Sequence, residues 1–196
     1  LMEDMNSEEW MEKLEDLQMS NEDLEKELDR NLEMLKKFEF DQALDNAVDQ
    51  MQKIKEEQAA LNNATNERTE DPLEIAEKQK KINDSFKKLS EELEALREQN
   101  DALENKENLS DTKDLEQRVQ EKQQESLENL TKDKLKKAAQ SQKESLESIE
   151  MMLSKLKEAQ GGGEENSPPE DMAVLRQILE NLIDLSLEEE ALLVDL

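Results

Sequence analysis

Carboxylates are the most abundant groups in this sequence able to do acid–base chemistry: Glu91 and Glu92 stand side by side, and Glu188, Glu189 and Glu190 run together. General acid–base catalysis needs two such groups in a dry, shaped pocket that separates their pKa values, and nothing around these pairs builds one. Cysteine and histidine are absent, which removes thiolate and imidazole nucleophiles, the usual zinc ligands and a proton switch near neutral pH. A calcium loop needs acids at alternate positions with a turn glycine, and no stretch has that form. No catalytic, cofactor-binding or metal-ligating residue is assigned, and the chain reads as non-enzymatic.

The remaining side chains with chemical character point to recognition and packing. Trp10, in "SEEWMEKL", is the single tryptophan; such a residue either packs against a neighbouring helix or anchors an external partner. Asn100 and Gln79 interrupt an apolar series, and a seam amide penalises every register that leaves it without a polar counterpart. Asn100 is the candidate register pin. Leu179, Leu182 and Leu187 lie on a leucine-rich stretch near the C-terminus and, with Trp10, are the candidate interaction residues. Triplets of the glycosylation type start at Asn63, Asn83, Asn108 and Asn129, but two of them fall in the middle of helical patterns and chance accounts for them.

These residues sit on long helices. Breakers cluster at 62–72 ("NNATNERTEDP"), 105–112 ("NKENLSDT") and 161–169 ("GGGEENSPP"). Between the first two, Ile75, Gln79, Ile82, Phe86, Leu89, Leu93, Leu96, Asn100 and Leu103 alternate by four and three, with Asp71 as N-cap and Pro72 at the first helical position. Upstream, Ser20 and Asp23 suggest a break after a short helix at 7–19. Leu24, Leu28, Leu35 and Phe38 then keep helical spacing, and Leu44, Ala47, Met51, Ile54, Gln58 and Leu61 keep strict alternation. Between Phe38 and Leu44 the phase slips, so "KKFEFDQ" is where the seam is expected to change partner. Downstream, Leu115, Val119, Leu127 and Leu130 are followed by Leu135, Ala139, Gln142, Leu146, Ile149, Leu153 and Leu156. This predicts one helix over 112–160, loosest near 117–126 and stopped by the glycines at 161.

Helices with such narrow apolar stripes need a partner, and short connections favour antiparallel neighbours. The expected fold is all-α: helices at 21–64, 72–106 and 112–160 folding up-down-up into an elongated antiparallel coiled-coil bundle. The domain reading is a bundle over 1–160, a Gly/Pro linker at 161–169, and a C-terminal helical hairpin at 170–196. In that hairpin Met172, Leu175, Leu179, Leu182 and Leu185 mark one face and Ser186 with Glu189 forms a capping box.

A net charge of −27 repels phosphate backbones and argues against nucleic acid. No apolar run approaches the length of a membrane span and no signal-type start is present, so membrane attachment would come only through flanking segments. The chain opens on Leu1 and closes on "LEEEALLVDL", an apolar finish that leads us to expect a segment of a longer protein. Three stretches carry a resemblance: 20–51, 137–156, and above all "LRQILENLIDLSLEEEALLVDL" at 175–196. They resemble the helical portion of a family of large membrane-anchored envelope proteins of Bacteroidetes-type bacteria, classed as a domain of unknown function. The resemblance implies membrane-spanning helices upstream and a periplasm-facing helical body; it supplies no function and transfers no catalytic residue. The expected function is a non-enzymatic coiled-coil scaffold or interaction segment of a cell-envelope protein, without a cofactor, whose partners are other proteins, the rest of its own chain, or a second copy through the heptad seams. Two rival readings are an acidic chaperone that shields a basic client and a coiled-coil arm of a mechanochemical ATPase.

Overall fold

A computed structural model of the chain describes residues 7–163, with side chains from 26 to 161. Among the described residues the regular elements are helices: α1 (Ser7–Glu67), α2 (Pro72–Asp101), α3 (Lys113–Thr131) and α4 (Leu135–Gly163). The chain divides into two compact units, one of residues 39–166 and one of residues 1–38 with 167–196.

The unit 39–166 is an up-down-up-down bundle, and cross-helix hydrogen bonds and ion pairs fix its directions. From α1 to α2, Gln50 pairs with Glu92 and Gln58 with Gln79. From α2 to α3, Gln120 donates to Ser90 and Lys113 to Glu94. Lys122 of α3 meets Glu144 of α4. Asn62, Lys55 and Asp45 of α1 meet Ala139, Glu150 and Gln160 of α4 in that order, which closes the ring with α4 antiparallel to α1. The three-helix expectation is therefore corrected to four, because the helix expected over 112–160 breaks at Lys132–Lys134.

That break needs no glycine or proline. Asp133 takes the left-handed conformation (φ 51), the Asp133 amide bonds back to Leu130 and the Lys134 amide to Asn129. Together these close α3 with the reversed backbone bonds of a helix C-cap. Arg68 ends α1 in the same way (φ 54), with the Thr69 amide on the Ala64 carbonyl. A side chain with a Cβ pays a steric cost in this conformation that glycine avoids, and arginine lacks the short polar side chain that eases it for Asp. Arg68→Gly is accordingly expected to raise the unfolding free energy by about 0.5–1 kcal/mol, net of the added backbone freedom of the unfolded chain. Chemical denaturation measures it, and a loss of stability would show that the Arg68 side chain contributes more than its backbone costs.

Local sequence explains the other ends. Asp71 caps α2, its Oδ1 accepting from the Leu73 amide at 2.8 Å, with Pro72 at the first position. Asp71 is extended there (φ −66, ψ 137), as an N-cap residue should be. At α3 the side chain that accepts is Asp111, from the Lys113 amide at 3.0 Å. Other expected boundaries move. α1 runs unbroken from Ser7, so Ser20 and Asp23 start no new helix; α2 ends at Asp101, short of the expected 106; and α4 continues through Gly163 beyond the expected stop at Gly161.

The core follows the seams. The eight α2 seam positions from Ile75 to Asn100 are buried, as are Leu103 just past its end and Leu44, Ala47, Met51, Ile54, Gln58 and Leu61 of α1. Among the described side chains of α1 the first buried one is Phe40, inside the "KKFEFDQ" stretch where the phase slips. On α3 the buried set is Glu116, Val119, Gln123, Ser126 and Leu130, so polar residues occupy seam positions while Leu127 is half-buried.

Candidate functional site

The most concentrated polar chemistry in the bundle lies inside it. Gln58 and Gln79 exchange side-chain hydrogen bonds: Gln58 Nε2 donates to Gln79 Oε1 at 3.3 Å and Gln79 Nε2 to Gln58 Oε1 at 3.0 Å. Gln79 Nε2 also donates to Asn83 Oδ1 (2.8 Å), and Gln79 Oε1 accepts from Ser126 Oγ (3.2 Å) and Gln142 Nε2 (3.0 Å). Asn62 reaches the Gln142 side-chain oxygen and the Ala139 carbonyl. One layer thus ties all four helices together through Gln79. Gln58, Gln79, Gln142 and Ser126 are fully buried, and so are Gln123 and Ser145, whose Nε2 and Oγ have no protein partner. Such a layer is costly to bury and rewards only the register in which its members meet.

Sequence reasoning named Gln58, Gln79 and Gln142 as seam members but assigned the pin to Asn100. In the structure the Asn100 side chain does something else: Nδ2 donates to the Glu107 carbonyl at 3.0 Å and Oδ1 accepts from the Glu107 amide at 2.8 Å. Asn100 closes the connection between α2 and α3, and the contact across helices falls to Gln79. The signal that could have revealed Gln79 was the coincidence of seam polar residues on every helix, Gln58, Gln79, Ser126 and Gln142. It becomes legible only with the four-helix topology. Trp10, Leu179, Leu182 and Leu187 lie outside the residues whose side chains are described.

Charged groups bind the surface of the same bundle. Arg97 of α2 holds Glu94, the Thr112 hydroxyl and Glu116, and Glu116 also accepts from Thr112 Oγ1 at 2.6 Å. Glu116 is the one charged side chain among the described buried residues, and its carboxylate is occupied by these partners. Hydrogen bonds from Arg97, then Lys113, hold the Glu94 carboxyl below the ordinary glutamate range. On the opposite helix pair, hydrogen bonds from Gln140, then Lys122, lower Glu144, while Glu144 and Glu125 raise Lys122.

The sign of the pH effect follows. The lowered Glu144 stabilises the fold above its unfolded value of about 4.3, and that contribution is lost as pH falls through the folded value. The raised Lys122 stabilises below about 10.4 and its contribution is lost as pH rises through its folded value. The stability gap between the parent chain and Glu144→Gln should therefore be widest across neutral pH and shrink on acidification and in strong alkali. Denaturation series of both chains at several pH values measure it; a gap that does not change with pH would remove the pair from the stability balance.

The described surface offers no metal cluster and no helix long and apolar enough to cross a membrane. A shallow groove of about 430 Å³ runs between α1 and α2 beside Ala60, Ala64, Ile82 and Lys78. Its carboxylates are Glu57 and Glu70, and Glu70 is ion-paired to Lys78 at 2.6 Å. Comparison with protein-family models, with curated proteins and with solved structures finds no match for this chain.

Proposed function

We propose that this chain is a non-enzymatic helical scaffold that presents interaction surfaces, acting as part of a larger cell-envelope protein. The observation that carries the scaffold reading is the use to which polar chemistry is put. The buried amides of Gln58, Gln79 and Gln142 and the Ser126 hydroxyl join helix to helix, and the one buried carboxylate among the described residues, Glu116, is held by Arg97 and Thr112. A bundle built this way orders its own surface, and its described buried polar groups are spent on packing. The envelope assignment is supported by the resemblance of residues 20–51, 137–156 and 175–196, and by that alone.

Crosslinking with mass spectrometry on the full-length parent protein in its native envelope tests the reading. Crosslinks from α1–α4 to other envelope proteins or to other parts of the parent chain are expected. Crosslinks confined within the bundle would remove the scaffold role, and salt-sensitive capture of cationic proteins alone would favour the chaperone reading instead.

A further inference from the structure

Two enclosed side-chain atoms on facing helices have no protein partner: Gln123 Nε2 on α3 and Ser145 Oγ on α4. Gln123 is 1% exposed and Ser145 0%. Their neighbours in kind are bonded. Gln58, Gln79 and Gln142 meet in the polar layer, and Ser126 donates to Gln79 from α3. On α4, Ser141 and Ser148 donate to the carbonyls of Lys137 and Glu144, one turn back, each at 3.1 Å. A helix offers every interior serine that carbonyl. Ser145, between those two serines on the same face, leaves it, so its hydroxyl is turned toward something else.

The two unpaired atoms belong to one level of the bundle. Ser126 and Gln142 share Gln79 Oε1 as their acceptor, which makes α3 and α4 level there. Gln123 stands three residues before Ser126, and Ser145 three residues after Gln142. Because the two helices run antiparallel, both steps lead the same way, roughly 4.5 Å along the axis and away from the Lys132–Lys134 corner. The ion pair between the adjacent Lys122 and Glu144, at 2.9 Å, marks the same level from the surface. Yet Gln123 and Ser145 do not bond each other, and buried polar groups so placed call for a common partner. Its chemistry is constrained. Nε2 is a donor and repels a cation. An anion suits two donors but would be buried without a countercharge, in a chain of net charge −27, at high cost. Water accepts from an amide and donates to a hydroxyl at once, and holding one molecule costs less than stranding both groups.

We propose that one water molecule is enclosed between α3 and α4, accepting from Gln123 Nε2 and donating to Ser145 Oγ. The polar layer then extends one turn further on this side of the bundle. Oxygen-17 relaxation dispersion on the full chain counts enclosed waters in solution. The parent is expected to hold one more than a chain carrying Gln123→Leu and Ser145→Ala, whose two apolar side chains offer a water no partner. Equal counts overturn the proposal. A high-resolution crystal structure of the parent decides the question without a variant. A water within hydrogen-bond distance of both atoms is expected there; a direct hydrogen bond from Gln123 to Ser145, a dry contact between them, or an anion in the site overturns it.

Discussion

Gln79→Leu is expected to lower the unfolding free energy by about 3–5 kcal/mol, because one substitution strands the Gln58 amide, the Ser126 hydroxyl and the Gln142 amide, each costing about 1–3 kcal/mol when buried without a partner. The leucine regains part of this through its own burial, which keeps the net below the sum. Against a total of about 5–15 kcal/mol for an ordinary domain, the loss brings the bundle close to unfolding. The companion experiment carries the opposite sign. Replacing Gln58, Gln79, Gln123 and Gln142 by leucine together with Ser126→Ala removes the polar layer instead of breaking it, and the resulting chain should match or exceed the parent in stability. What it should lose is uniqueness: without a layer that rewards one register, sedimentation should show mixed association states and amide spectra should broaden. A five-residue variant that is both less stable than Gln79→Leu and singly folded would sink this account of the layer.

Phe86→Ala is expected to cost about 3–5 kcal/mol through the apolar transfer lost and the cavity left behind. Phe86 is fully buried among Ile82, Leu89, Leu93 and Val119 of the same core, in a ring of rigid helices with little freedom to collapse inward. The control is Leu73→Ala: Leu73 is 73% exposed at the start of α2, and its truncation should change stability by less than about 0.5 kcal/mol. Urea denaturation of both variants measures the difference. Equal costs would mean that α2 is not packed through the face its alternation defines.

The contrast between α2 and the α3–α4 pair shows what sequence can carry. α2 announces itself locally: Asp71 and Pro72 fix its start, and the unbroken alternation from Ile75 to Leu103 fixes its buried face. The α3–α4 corner offers no such mark. Asp133 enters the left-handed region in place of glycine, so composition is silent there. The one trace is a slip in the repeat: buried positions run Ser126, Leu130, then Ala138 and Gln142, one residue longer than continuous alternation allows. The same one-residue excess stands in the sequence as the five-residue step from Leu130 to Leu135, but a single such step does not distinguish a slipped seam from a broken helix. The opposite error occurs at Gly161–Gly163, where a helix-breaking composition is overridden and α4 runs on. The polar layer lay between these cases. Gln58, Gln79 and Gln142 were visible as seam amides and Ser126 was not, and their meeting at Gln79 depends on a fourth helix that the periodicity did not announce. Asn100 was visible too, and its use by the Glu107 backbone belongs to loop geometry that periodicity does not encode.

The glutamine layer is off-centre, and this sets how the bundle gives way. Between it and the Arg68 and Asp133 corners the buried set is small: Leu61, Thr65, Ile75, Leu130, Ala138, Ala139 and Ser141. On its far side lie Phe40, Leu44, Met51, Ile54, Phe86, Leu89, Leu93, Leu96, Val119, Ile149, Met152 and Leu156. The bundle is therefore two compartments of unequal strength in series, separated by a bulkhead of amides. Native-state hydrogen exchange should find the short compartment opening at lower free energy than the long one, and under tension along the helices the short compartment should yield first, so that extension comes in two steps.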